Sequence, residues 1–147
     1  MSKREDKFTV VELFAGAGGL ALGLEKAGLK NVFLNEIDKN CVATLRKNRP
    51  NWDITHKDIK DVDFKEIQAD VLTGGFPCQS FSHAGKRLGF EDTRGTLFFE
   101  FARAVKEIQP KIFIAENVAG LVSHDKGRTL QTMLRILRED LDSYDVQ

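Results

Sequence analysis

Short apolar runs alternate along the chain with longer segments in which apolar residues recur every three or four positions. The runs have the length of buried strands, and the longer segments have the period of amphipathic helices. This alternation is typical of parallel βαβ units with helices on both faces of the sheet. It predicts an α/β fold with a doubly wound, mostly parallel sheet. The predicted strands are residues 9–14, 32–35, 71–73 and 112–115, with a short third strand ending at residues 58–59.

Helices are predicted between these strands and after the last one, and residues 143–147 have the pattern of a further strand just beginning. In residues 80–95 the apolar positions show no clear periodicity, and the segment contains three glycines and three basic residues. Connections longer than about 12–15 residues are usually functional or disordered, so this one is predicted to be a mobile, basic loop. The predicted apolar helix faces are Leu20, Leu24 and Ala27; Cys41, Val42 and Leu45; Leu97, Phe101, Val105 and Ile108; and Leu130, Met133, Leu134, Leu137 and Leu141.

The composition is that of one ordinary globular domain, with 147 residues, 41% hydrophobic and 30% charged. It has no apolar run of the roughly 20 residues that a membrane helix needs and no signal-peptide pattern, which predicts a cytoplasmic protein. Neither Cys41 nor Cys78 suggests a disulfide framework, and His56, His83 and His124 lack partners at zinc-ligand spacing, so no metal site is predicted. The 22 basic residues balance the 22 acidic ones. This balance counts against nucleic-acid binding without excluding it, because a local basic strip or another chain can supply phosphate contacts.

A glycine cluster follows the first predicted strand and opens the first helix. Gly16, Gly18 and Ala21 match the G-x-G-x-x-A form of the dinucleotide fingerprint, and Glu36 lies 20 residues beyond Gly16 at the end of the next strand. Glycines let the backbone approach a ligand, and an acid at that strand end can hold ribose hydroxyls. This pattern predicts a nucleoside cofactor; the alternative is a tight turn without a ligand.

Three more residues follow predicted strands on the same edge of the sheet. Asp58 could accept a hydrogen bond from an adenine amino group, or it could simply cap a turn. Cys78, after Pro77, is presented where ligands bind in open α/β sheets and is a candidate nucleophile, whereas Cys41 shares a helical stripe with core residues. Glu116 would face the same pocket as Cys78, unless it caps the following segment or pairs with Lys111 or Arg94.

Five motifs occur in a characteristic order along the chain. They resemble those of the DNA (cytosine-5)-methyltransferases of bacterial restriction-modification systems, and the resemblance covers nearly the whole chain from Phe8 onward. The motifs are FAGAGG at residues 14–19, NE at 35–36, GFPCQSFS at 75–82, GFEDTRGTL at 89–97 and ENV at 116–118.

The resemblance implies the Rossmann-like fold of S-adenosylmethionine-dependent methyltransferases and methyl transfer to cytosine C5 in double-stranded DNA. It also implies that Glu36 binds the ribose and Asp58 the adenine, and Ile37 stands where many relatives have an aromatic residue that stacks on adenine. The implied cofactor-binding residues are Phe14, Gly16, Gly18, Glu36, Ile37, Asp58, Ile59, Pro77 and Leu97.

The same resemblance assigns the catalytic and DNA-binding roles. Cys78 would add to cytosine C6, and Glu116 would hydrogen-bond the N3 and amino edge of the base. Methylation of a duplex requires base flipping, and the basic loop would close over the flipped base. The implied DNA-binding residues are Ser82, Lys86, Arg87 and Arg94.

Complete relatives continue with a further conserved strand, a target-recognition domain and a final helix that completes the cofactor pocket. Residues 1–147 are therefore predicted to be the N-terminal, cofactor-binding catalytic part of such an enzyme, either completed by a second polypeptide or truncated. One alternative is a non-catalytic subunit that binds an adenosine nucleotide. Another is a methyltransferase that acts on cytosine in tRNA, because the catalytic residues would look alike.

Overall fold

The structure is a computed structural model that describes residues 7–77, 97–141 and 143–147. Within these residues, five strands form one sheet in which all neighbouring strands are parallel. The strand order β3-β2-β1-β4-β5 reverses the direction of winding between β1 and β4. The predicted α/β fold with a doubly wound, parallel sheet is confirmed. The strands are β1 (Thr9–Leu13), β2 (Lys30–Glu36), β3 (Ile54–His56), β4 (Val71–Gly74) and β5 (Ile112–Ala115).

Helices connect the strands and pack on the two faces of the sheet. The second helix is capped by Asp38, whose side chain accepts hydrogen bonds from the backbone N–H groups of Asn40 and Cys41. In the part of the chain that the structure describes, no helix has both the length and the apolar character needed to cross a membrane. The helices are α1 (Gly19–Lys26), α2 (Lys39–Asn48), α3 (Leu97–Ile108), the single turn α4 (Gly120–Ser123) and α5 (Arg128–Asp140), with 3-10 turns at Ile59–Asp61 and His124–Gly127.

Two strand predictions were wrong. The third strand ends at His56 instead of residues 58–59, because Asp58 accepts a hydrogen bond from the N–H of Lys60 and so begins a 3-10 turn. Residues 143–147, predicted as a beginning strand, form none in the structure. The guanidinium group of Arg138 donates to the backbone carbonyl of Val146. In a strand, this carbonyl would instead accept a hydrogen bond from the neighbouring strand. The predicted mobile loop, residues 80–95, lies outside the described residues.

Each face of the sheet contributes to a separate apolar cluster. On one face, Val11 and Leu13 of β1 are fully buried against α3 and α5. On the other face, Leu34 of β2 packs with Val42 and Leu45 of α2, as their helical spacing predicted. The sheet therefore holds helices on both faces, and its carboxyl edge is left as the place where loops converge.

The predicted apolar face of α1 was wrong, and Cys41 is not a core residue. Leu20 is 41% exposed, whereas the residue that α1 buries is Ala21. A small side chain is needed here because α1 lies close to β2, where the side-chain amide of Asn31 donates to the carbonyl of Ala21. Cys41 is only partly buried, since it lies in the first turn of α2 beside the cap residue Asp38.

Strand β5 presents two apolar side chains to solvent. Ile112 is 58% exposed and Ile114 is 47% exposed, and they share a sheet face with their register partners Val71 and Thr73. On the opposite face, the ring of Phe113 packs against the buried cluster. All-parallel sheets are normally covered on both faces, so the exposed face of β5 is an unusual surface for this architecture.

Candidate active site

The loop between β1 and α1 turns on two glycines with left-handed backbone. Gly16 has φ +54° and Gly18 has φ +89°. A Cβ on Gly18 would also overlap the side chain of Leu45, whereas no atom of the described residues comes within 4 Å of a Cβ on Gly16. Gly18 is therefore needed for both conformation and packing, and Gly16 for conformation. Phe14 is also left-handed, at φ +57°, which is strained for a residue with a side chain and is characteristic of functional sites.

Glu36 joins this loop to the end of β2. Its Oε2 accepts a hydrogen bond of 2.6 Å from the N–H of Gly16, and its Oε1 accepts two of 2.8 Å from the N–H groups of Ile37 and Asp38. Glu36 is only 8% exposed. An ionised carboxyl group has about four lone-pair sites, so these three bonds leave capacity for a ligand hydroxyl group. The position predicted from spacing alone thus contains an anchored acceptor.

A cavity of about 410 Å³ opens at the carboxyl ends of β1, β2 and β4. This is the usual position for a ligand in an open α/β sheet, and the volume is in the range of small-molecule sites. Seven of the nine predicted cofactor residues line it, and the other two, Gly16 and Gly18, belong to the adjoining loop. The lining residues are Phe14, Asn35, Glu36, Ile37, Asp58, Ile59, Lys60, Gly75, Pro77 and Leu97.

Asp58 caps a turn, as one of its two predicted roles requires, and it also lines the cavity. Its Oδ1 caps the 3-10 turn through the N–H of Lys60, at 3.0 Å. Ile37, which is 62% exposed, lines the cavity as well. An exposed apolar side chain beside a cavity can cover the face of a bound aromatic ring.

Glu116 lies beside the segment that leads into Cys78. Its N–H donates to the carbonyl of Gly74, at 3.0 Å, and a Cβ built on Gly75 would be 2.8 Å from its Oε2. The alternative pairing with Lys111 is wrong, because the Lys111 ammonium lies 2.7 Å from a carboxyl oxygen of Asp70. A glycine at residue 75 is thus what leaves room for the Glu116 carboxyl group.

Asn117 ties the ends of β4 and β5 together. Its side-chain N–H donates to the carbonyl of Phe76, at 2.7 Å, and its side-chain oxygen accepts from the N–H of Val118, at 2.9 Å. The turn before Pro77 is therefore held against the turn that carries Glu116. The predicted nucleophile Cys78 and the predicted DNA-binding residues Ser82, Lys86, Arg87 and Arg94 lie outside the described residues.

A family model for C-5 cytosine-specific DNA methylases matches residues 8–147. The chain belongs to this family. This chain is 66% identical to the Type II methyltransferase M.Eco47II of Escherichia coli over 134 residues, which are 90% of this chain and 32% of that protein. It is 64% identical to M.PspPI of Psychrobacter sp. (strain TA137) over 136 residues, 91% of this chain and 32% of that protein. The chain spans about a third of the length of these relatives.

Solved structures agree with the fold of this chain. A putative DNA modification methyltransferase encoded within an Escherichia coli prophage matches with a TM-score of 0.71 at 28% identity, over 90% of this chain and 38% of that one. Spodoptera frugiperda DNMT2 matches with a TM-score of 0.68 at 20% identity, over 91% and 41% of the two chains, a likeness in fold alone. The predicted methyltransferase family and its Rossmann-like fold are confirmed.

Four residues that contribute to the candidate site had no role assigned from the sequence. Asn35, Lys60 and Gly75 line the cavity, and Asn117 makes the bond to Phe76. Three of them belong to the motifs that carry the family resemblance, so the motifs were a usable signal. Lys60 stands in no such motif, and only the 3-10 turn brings it to the cavity.

Proposed function

We propose that this chain binds S-adenosylmethionine in the 410 Å³ cavity and takes part in methylating cytosine C5 in double-stranded DNA. The observation that carries the proposal is Glu36, an anchored carboxyl group bonded to the glycine loop and lining a cavity at the carboxyl edge of the sheet. Family membership supports the reaction class. The description of that family, C-5 cytosine-specific DNA methylase, supports DNA as the target.

The cavity residues fit an adenosyl cofactor. The remaining lone pair of Glu36 suits a ribose hydroxyl group, Asp58 suits the amino group of adenine, and Ile37 suits the face of the ring. Phe14, Ile59, Pro77 and Leu97 supply the apolar walls, while the loop at Gly16 and Gly18 gives close backbone approach. When bound, S-adenosylmethionine supplies an electrophilic methyl group.

In the proposed reaction, the Cys78 thiolate adds to cytosine C6 and forms a carbon–sulfur bond, because C5 becomes nucleophilic only after this addition. Glu116 hydrogen-bonds the N3 edge and stabilises the charge that builds up on the ring. Transfer of the methyl group to C5 would break its bond to the sulfonium sulfur and leave S-adenosylhomocysteine; loss of the C5 proton to solvent and elimination of the Cys78 thiolate, which breaks the bond to C6, then restore the aromatic ring. The position of Glu116 against Gly75, three residues before Cys78, supports this division of roles.

The DNA contacts are proposed from the motif region. Ser82, Lys86, Arg87 and Arg94 would bind the DNA backbone around the flipped base, whose unstacking and unpairing cost a few kcal/mol. The relatives named above come from bacteria, which supports action in a bacterial cytoplasm.

We further propose that a second polypeptide supplies the target-recognition domain and completes the sheet. One observation supports this: Ile112 and Ile114 are exposed on β5, which is an edge strand of the described sheet. An open parallel edge with apolar side chains is suited to pairing with an added strand.

The test measures cofactor binding and methyl transfer separately. Calorimetry should detect S-adenosylmethionine binding by the unaltered chain. Glu36→Ala should bind at least tenfold more weakly, because the variant lacks the carboxyl acceptor. Absence of binding by the unaltered chain would overturn the proposal. Methyl transfer to mixed-sequence duplex DNA and to tRNA is then measured with the chain alone and with the remaining two-thirds of M.Eco47II as a separate polypeptide. Incorporation into DNA only in the mixture is expected.

Cys78→Ala should abolish that incorporation and spare cofactor binding, whereas the matched variant Cys41→Ala should retain both. Incorporation by the chain alone would refute the need for a second polypeptide. Incorporation into tRNA instead of DNA would refute the proposed target, and cofactor binding with no effect of Cys78→Ala would favour a non-catalytic subunit.

A further inference from the structure

Side-chain hydrogen bonds that run in opposite directions join the carboxyl ends of β2 and β3. The side-chain amide of Asn35 in β2 donates to the carbonyl of Lys57, at 3.0 Å, and also to the carbonyl of Thr55 in β3, at 3.4 Å. The imidazole Nε2 of His56 in β3 lies 3.0 Å from the carbonyl of Ile37, and it donates because a carbonyl oxygen can only accept. We refer to Asn35 and His56 with these bonds as the β2–β3 clamp.

The β2–β3 clamp adds to a weak strand pairing. β3 has only three residues, which pair with β2 from Leu34 to Glu36, and it is an edge strand of the described sheet. Few backbone bonds therefore hold the end of β3, and the side-chain bonds matter more than they would in a long strand. Asn35 is 2% exposed, so its bonds are shielded from competing water.

The clamp stands next to both acids of the proposed nucleoside site. Asn35 directly precedes Glu36, and Lys57, whose carbonyl receives the Asn35 bond, directly precedes Asp58. The second bond reaches Ile37, which directly follows Glu36. Each of these two bonds thus reaches a backbone carbonyl that is one residue away from an acid.

We propose that Asn35 and His56 are positioning residues that set the spacing between Glu36 and Asp58 and so determine selectivity for an adenine nucleoside. This inference rests on the proposed function, in which Glu36 binds the ribose and Asp58 the amino group of the base. When a nucleoside is bound through its ribose, the amino group of its base lies at a fixed distance from the ribose hydroxyl groups. A clamp that keeps Asp58 at that distance favours adenine over a base that has no amino group there.

The test compares S-adenosylhomocysteine with S-inosylhomocysteine, which has a carbonyl oxygen in place of the adenine amino group. Binding of both is measured by calorimetry for the unaltered chain, for His56→Phe, which keeps a ring and removes the donor, and for His56→Gln, which keeps a donor. The matched control His124→Phe makes the same change at a histidine outside the clamp and the cavity. Thermal unfolding of every variant is recorded.

His56→Phe is expected to bind the adenosyl compound about fivefold more weakly and to leave inosyl binding nearly unchanged, because one hydrogen bond contributes this much. His56→Gln should restore most of the selectivity, and His124→Phe should keep it. Asn35→Asp, which replaces the donor with an acceptor facing a carbonyl, should reduce selectivity further.

Equal loss of affinity for both compounds in His56→Phe, or failure of His56→Gln to rescue, would overturn the clamp as a selectivity device. Unchanged selectivity in both His56→Phe and Asn35→Asp would also overturn it. If the unaltered chain binds neither compound, the proposed function itself fails. Binding of both with equal affinity would refute the role of Asp58 in reading the base.

Discussion

Glu12 in the middle of β1 places a carboxyl group inside the fold. The residue is 3% exposed, and its Oε2 has no hydrogen-bond partner among the described residues. Burial raises its pKa from 4.5 to about 7, because the charged form is separated from water without compensation. Glu12 is therefore neutral in the folded chain under conditions in which the unfolded chain would ionise it.

The sign of the stability effect follows from proton binding. Between pH 4.5 and about 7 the folded chain binds a proton that the unfolded chain releases, so the free energy of unfolding decreases as the pH rises through this range. A pKa change of one corresponds to about 1.4 kcal/mol. The rise in the pKa of Glu12 to about 7 therefore lowers the free energy of unfolding by about 3 kcal/mol by pH 8. For a chain of 147 residues, this equals a decrease in Tm of about 6–12 °C.

Glu12→Gln should remove this pH dependence, because the amide has nearly the same shape and does not ionise. Urea unfolding of both proteins at intervals from pH 4.5 to pH 8 gives the difference in free energy of unfolding, which should grow in favour of Glu12→Gln by up to about 3 kcal/mol. Glu66→Gln, at an exposed carboxyl group, serves as the control and should show little change. A difference between Glu12→Gln and the unaltered chain that stays constant within about 0.5 kcal/mol across the range would refute this reasoning.

Two further perturbations test other parts of the structure. Gly18→Ala should lower the free energy of unfolding by about 2–3 kcal/mol in urea titrations, because the added Cβ lies where φ is +89° and overlaps Leu45. The control Gly23→Ala, in the open middle of α1, should leave the free energy of unfolding unchanged or raise it. Equal effects of the two substitutions would contradict this account. The pKa of Asp70 is lowered to about 2, chiefly by the hydrogen bond from Lys111, so its contribution to stability is present above pH 4 and is lost as the pH falls through 2. Asp70→Asn should therefore reduce the loss of folding stability between pH 4 and pH 2, measured by unfolding followed with circular dichroism. An unchanged loss would exclude this stabilising role of Asp70.

The fold was predictable because its signals are local. Buried parallel strands need continuous apolar runs, and helices need an apolar stripe, so both leave a pattern that survives in the sequence. The prediction failed where local chemistry interrupted that pattern. Asp58 turned the chain out of β3 by capping, and close approach to the sheet made Ala21, not Leu20, the buried residue of α1.

The sequence by itself determined which residues are available for chemistry at the carboxyl edge, because strand ends, glycine turns and the spacing from Gly16 to Glu36 are all features of the linear chain. It also carried the family motifs that the family model matches. Only the tertiary structure decided which of these residues lie together and what holds them. The hydrogen bond from the Gly16 N–H to Glu36 and the room that Gly75 leaves for Glu116 join segments distant in sequence. Such contacts depend on the distance between elements, which sequence periodicity does not encode.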